Sequence, residues 1–237
     1  MTPPSPTSPF LPIIRPDVRF DEVADDIRTI LESGILTSGP YVARFEEALA
    51  RYIGVRHAIA TTSATTALHL VLAALGVGPG DEVLVADFTF PATGNVVVQL
   101  GARPVLVDSS FAPPNDVSLA MDPARVDALI TPRTKAILVV DPFGRPADMH
   151  ALEAFATARR IALIEDAACA LGSDVRGLTA APVRRSGSFG TAGCFSFHPR
   201  KVITTGEGGA ITTNDDALAA RLSTLRSHGG VPAGAGA

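Results

Sequence analysis

Cys194-Phe195-Ser196-Phe197-His198-Pro199-Arg200-Lys201-Val202-Ile203-Thr204-Thr205-Gly206-Glu207-Gly208-Gly209-Ala210-Ile211-Thr212-Thr213 reads as two short strands joined by a long connection. The first strand is apolar and breaks at Pro199, Lys201 follows, and a Gly-Glu-Gly-Gly turn leads into the second strand. The chain holds twenty basic residues, and only Lys135 and Lys201 are lysines. Where a positive charge alone would serve, arginine almost always stands. An amine can lose its proton and attack a carbonyl, whereas a guanidinium stays protonated. Lys201 is therefore a candidate nucleophile, set against the plainer reading of a surface lysine near a hairpin. The rest of the chain has to separate the two.

Working outward, short apolar runs occur at Val83–Ala86, Val105–Val107, Ile137–Val140 and Ile161–Ile164, with helical patterns at Ala92–Leu100, Pro123–Ile130 and Met149–Arg160 between them. Branched runs alternating with helices predict an α/β fold with a mainly parallel sheet covered on both faces. Each run is followed by acid: Asp87, Asp108, Asp141 and Glu165-Asp166. Ligands of open α/β sheets bind beyond the carboxyl ends of the strands, so these acids sit on the functional rim. Most are expected to cap loops or helices.

Upstream, Asp21–Ser33 and Pro40–Tyr52 carry apolar residues at helical spacing, and the first has Val23, Ile27, Ile30 and Leu31 on one face. A short strand at His57–Ala60 feeds Thr61-Thr62-Ser63-Ala64-Thr65-Thr66 and then a helix over Ala67–Leu75. A strand, a hydroxyl-rich turn and a helix start converge on an anion through free N–H groups and the helix dipole. An ordinary helix cap explains the same residues.

Composition bounds the rest. The 237 residues are 46% apolar and 19% charged, enough for one substantial domain with a buried core. A net charge of -4 leaves no electrostatic footprint for nucleic acid or an anionic membrane. No apolar run approaches a membrane span. Cys169 and Cys194 form neither a disulfide framework nor a zinc-type spacing, which fits a reducing cytoplasm. The five histidines show no metal-ligand spacing, and neither nucleotide-binding glycine fingerprint occurs.

A nucleophilic lysine, a strand-end aspartate, an aromatic plate and a phosphate cup together answer the needs of pyridoxal 5′-phosphate. Over about residues 15 to 230 the chain resembles the DegT-type nucleotide-sugar aminotransferases of the aspartate-aminotransferase fold. The landmarks are Gly34–Pro40, Gly80–Val83, Phe88-Thr89-Phe90, Gly101–Val105, Thr134–Ile137, Glu165–Ala168 and the block from Phe195 to Gly209. The resemblance implies a three-layer α/β/α domain with a mainly parallel, mixed central sheet. It implies that Lys201 forms the Schiff-base link and carries protons, and that Asp166 pairs with the pyridine nitrogen. Phe90 would stack on the ring, and Ala64, Thr65 and Ser196 would bind the phosphate. Cys169 stands where many relatives place Gln or His near the ring hydroxyl, and Ala64 stands where glycine is usual.

The implied reaction moves an amino group from an amino acid, by analogy L-glutamate, to the keto group of a nucleotide-linked sugar. The expected setting is a cytoplasmic homodimer without nucleic-acid or membrane partners. The resemblance implies a longer chain with a small C-terminal domain, which is expected to be absent here. The alternative reading is therefore a pyridoxal-binding, non-catalytic remnant acting as an interaction module. Residues 1–14 are expected to be a Pro/Ser-rich tail, 15–230 the cofactor-binding domain and 231–237 a disordered end.

Overall fold

Apolar runs too short for helices pair into one seven-stranded sheet in the computed structural model, which describes residues 16–110, 119–176 and 182–230. The expected tail and end lie outside the described residues. In chain order the strands are β1 (His57–Thr61), β2 (Glu82–Ala86), β3 (Arg103–Val107), β4 (Thr134–Val140) and β5 (Ala162–Asp166). A two-stranded ribbon of β6 (Asp174–Val175) and β7 (Arg184–Arg185) follows, then β8 (Ala192–Ser196) and β9 (Gly209–Thr213). The sheet order is β1-β9-β8-β5-β4-β2-β3. From β8 to β3 all neighbours are parallel, while β9 runs antiparallel to both β8 and β1. This is the mixed, mainly parallel sheet expected from the sequence.

Parallel neighbours need a crossover, and helices supply it. The helices are α1 (Phe20–Ser33), α2 (Pro40–Ile53), α3 (Ala64–Ala74), α4 (Pro91–Gln99), α5 (Pro123–Val126), α6 (Met149–Arg159) and α7 (Asp216–Arg226). α4 links β2 to β3, and α6 links β4 to β5. Val83, Leu84 and Val85 of β2 and Ile137, Leu138 and Val139 of β4 are all fully buried. Consecutive strand residues point to opposite faces, so both faces of the sheet are covered.

Several elements differ from the sequence reading for local reasons. α3 begins at Ala64 rather than Ala67, because the Ser63 hydroxyl accepts from Thr66 N at 3.1 Å and caps it there. The polar run is thus the first turn of the helix. The helix expected over Pro123–Ile130 is only α5 followed by a 3-10 turn at Asp127–Leu129, and Ile130 is already extended. Pro132 lies just beyond and disfavours helical backbone before it. Glu165 and Asp166 belong to β5 itself rather than following it. The predicted apolar stripe of α1 forms, but no residue of that helix is buried.

No helix among the described residues is long and apolar enough to cross a membrane. None of their His, Cys, Asp and Glu side chains form a group that could hold a metal ion.

Candidate active site

The connection between β8 and β9 is a tied loop, and the ties fix where Lys201 emerges. Phe197 N donates to Gly208 O at 2.9 Å, and Phe197 O accepts from the Thr204 hydroxyl at 2.8 Å and from Thr205 N at 3.1 Å. Lys201 N donates to His198 O at 2.9 Å, closing a turn around the lysine. Gly206 has a φ of +84°, a left-handed conformation that side chains disfavour. Phe197 itself is buried and meets the ring of Phe45 edge-on at 5.2 Å between centroids.

Lys201 opens into a cavity of about 460 Å3 at the carboxyl ends of β4, β5 and β8. All seven residues singled out in the sequence line it: Ala64, Thr65, Phe90, Asp166, Cys169, Ser196 and Lys201. Asp166 ends β5, Ser196 ends β8, and Ala64 and Thr65 open α3. Phe90 is the residue before α4 and leaves 73% of its surface exposed.

The start of α3 reaches this cavity because of a glycine. A Cβ at Gly209 would lie 2.3 Å from the Ser63 carbonyl carbon and 2.6 Å from Ala64 N. Only a bare backbone lets the helix start sit against β9 at that depth.

Asp166 is nearly sealed from solvent, at 5% exposure. Burial raises its pKa; the Thr93 hydroxyl bond, the Ala168 N–H bond and the Lys201 charge oppose that shift. Thr93 Oγ1 donates to Oδ2 at 2.9 Å, and Ala168 N donates to Oδ1 at 3.2 Å. The carboxylate is thus held in place and faces the cavity with its charge only partly matched.

The Cys169 thiol lies 3.0 Å from Lys201 Nζ. Its partner here is the amine itself, a contact the sequence reading did not anticipate.

Thr93 was also missed. It is fully buried on α4 and carries a hydroxyl where packing alone would favour a valine. The signal was its place three residues after Phe90, at the start of a helix aimed at the strand ends. Phe88, Asp141, Phe143, Arg200 and Glu207 also line the cavity.

The residues fit pyridoxal 5′-phosphate. An amine is there for an aldehyde, and a buried carboxylate, an exposed aromatic and an open helix start would suit a ring nitrogen, a flat ring and a phosphate.

The comparisons with known proteins agree with this chemistry. The chain is 49% identical over 195 residues to the GDP-perosamine synthase of Caulobacter vibrioides, covering 82% of this chain and 50% of that protein. It is 41% identical over 220 residues to the spore coat polysaccharide biosynthesis protein SpsC of Bacillus subtilis, covering 93% and 54%. It also resembles the crystal structure of DesI in the presence of its TDP-sugar product, with a TM-score of 0.79 and 36% identity, over 92% of this chain and 54% of that one. The chain spans about half the length of the curated relatives it matches. The profile of the DegT/DnrJ/EryC1/StrS aminotransferase family matches residues 19–235, and the chain belongs to that pyridoxal-phosphate-dependent family.

Proposed function

We propose that this chain forms the cofactor-binding part of an aminotransferase that passes an amino group from an amino acid, L-glutamate, to the keto carbon of a nucleotide-linked sugar. The observation that carries the proposal is one cavity holding the Lys201 amine, the buried Asp166 carboxylate and the start of α3. The sugar-nucleotide names of GDP-perosamine synthase and of the DesI complex support the acceptor class.

Pyridoxal phosphate, when bound, supplies an electron sink for the carbon that loses its proton. Lys201 would hold it covalently through Nζ and, once released, move a proton on and off that carbon. Asp166 would keep a proton on the ring nitrogen, because a fixed negative charge beside it favours the cationic form. The N–H groups opening α3, with the Thr65 and Ser196 hydroxyls, would bind the phosphate. Phe90 would cover one ring face and exclude water from it. Cys169 would hold the Lys201 amine through the 3.0 Å contact.

We also propose that the working form is a homodimer in the cytoplasm. Exposed Phe20, Val23, Ile27 and Leu31 on α1 support an uncovered contact face.

The test supplies the full-length protein with pyridoxal phosphate, L-glutamate and a panel of keto-sugar nucleotides, and reads 2-oxoglutarate and amino-sugar formation. Formation of neither product across the panel, with cofactor bound, would overturn the aminotransferase reading.

A further inference from the structure

We propose that Asp141 and Glu165 hold one proton between them and act as a positioning pair that sets one buried negative charge, rather than two, beside Asp166. The pairing follows from register. β4 and β5 run parallel with Val139 opposite Glu165 and Val140 opposite Asp166, and Asp141 comes next. Asp141 N donates to Asp166 O at 3.1 Å. Three carboxyl groups therefore crowd the ends of two neighbouring strands.

Asp141 and Glu165 are both fully buried. Their carboxyl groups lie close enough to act on each other, and the Ser186 hydroxyl beside Asp141 is itself buried with no hydrogen-bond partner. Ionised carboxylates only accept hydrogen bonds, so two of them facing each other provide no donor. Accordingly both Asp141 oxygens and Glu165 Oε1 are left without a partner. Glu165 Oε2 accepts from Phe189 N at 3.2 Å. Asp166 on β5 and the Cys194 thiol on β8 also bear on the pair, and neither is basic. The charge of Lys201 bears on Asp166 instead.

A single proton resolves this. It turns two repelling acceptors into one short charge-assisted bond and halves the buried charge. In keeping with that, burial pushes Asp141 up to about 6 and drives Glu165 well above its usual range. The link to Asp166 rests on the pyridoxal-phosphate reading, whereas the proton itself does not. A second negative charge so close would favour protonating Asp166 and weaken its hold on a ring cation.

The folded chain keeps a proton that the unfolded chain releases above its ordinary carboxyl range. Stability from the pair is therefore complete below about pH 4, part of it is lost as pH rises through about 6, and the part held by the last proton persists to higher pH because Glu165 lies well above its usual range.

The test is urea unfolding of the apoprotein from about pH 4 to about pH 8, comparing wild type with Asp141→Asn, whose amide donates without a proton to lose. Between those limits the wild-type folding constant should fall roughly a hundredfold relative to the variant. Infrared spectra at neutral pH should show a protonated-carboxyl band that the variant lacks. If Asp141→Asn does not fold, Glu165→Gln gives the same comparison. Parallel pH curves and an unchanged infrared band would overturn the proposal.

With pyridoxal phosphate added, the bound cofactor's absorbance should change with pH across the same range in wild type only. Coinciding spectra, with the apoprotein curves as expected, would overturn the coupling to Asp166. Failure of both proteins to bind cofactor would overturn the proposed function, while the apoprotein curves still decide the pair.

Discussion

Thr93 Oγ1 donates to Asp166 Oδ2 at 2.9 Å, and Thr93 in turn accepts from the Thr89 hydroxyl at 2.8 Å. This chain of hydroxyls ties the end of β5 to the start of α4, a separation of 73 residues in sequence. It orients the carboxylate before anything binds, which is the part of a buried charge's role that burial alone does not provide.

Thr93→Val keeps the shape and removes the donor. Leaving Asp166 Oδ2 without a donor should cost about 1–3 kcal/mol of stability, read by urea unfolding. Asp166 should then take up a proton more readily, lowering pyridoxal phosphate affinity by roughly tenfold. Thr93→Ser should restore much of both. A valine variant that matches wild type in stability and affinity would show that the bond contributes nothing.

Gly209→Ala tests how the phosphate end is built. The new methyl would overlap the Ser63 and Ala64 backbone, which is not a side chain able to swing away. The start of α3 has to shift, at a cost on the order of 1–3 kcal/mol. Phosphate binding suffers more than folding does, because an anion site depends on where the N–H groups point. Inorganic phosphate should protect the wild-type protein against heat and lose that effect in the variant. Equal protection would mean the anion binds elsewhere.

Much of this was legible in the sequence. Apolar runs such as Val83–Ala86, buried on both faces, signal parallel strands by composition alone. Lys201 stood out because lysine is rare here, whereas Asp166 was one of several strand-end acids and only the family resemblance singled it out. Thr93 and the pairing of Asp141 with Glu165 were not legible. Both depend on which strands lie side by side, and local pattern does not carry sheet order or register. Asp141 looked like one more cap among several strand-end acids, and only its burial against Glu165 sets it apart. The α3 start was misplaced by three residues because Ser63 and Thr66 look equally able to cap.

Glu82 lies at the opposite rim, where β2, β3 and β4 begin. Its buried carboxylate accepts from Thr131 Oγ1 at 2.6 Å, Arg133 Nε at 2.9 Å and Arg103 Nη2 at 2.7 Å. The Thr131 and Arg133 bonds, aided by Arg103, pull its pKa from 4.5 to about 2. A depressed carboxyl gives stability that is present above its ordinary value and lost as pH falls toward 2. Glu82→Gln should therefore lower Tm at neutral pH and flatten its decline between about pH 4.5 and 2. Cofactor affinity of the folded protein should not change. An acid limb identical to wild type would show that another group sets it.

Lys201 and Lys135 form a built-in control. Lys135 is near the amino end of β4 on the exposed surface, whereas Lys201 enters the cavity beside Cys169. Pyridoxal phosphate added to the wild-type protein should give a visible absorption band, and borohydride should fix the label on the peptide carrying Lys201. Lys201→Arg keeps the charge but cannot form the link, so the band should vanish. Cys169→Ser should keep the band, because the link forms at Lys201 Nζ and not at the sulfur. Iodoacetamide should modify Cys169 in the free protein and be blocked by bound cofactor. Label found on Lys135, or a band that survives Lys201→Arg, would remove Lys201 from the site and the amine chemistry with it.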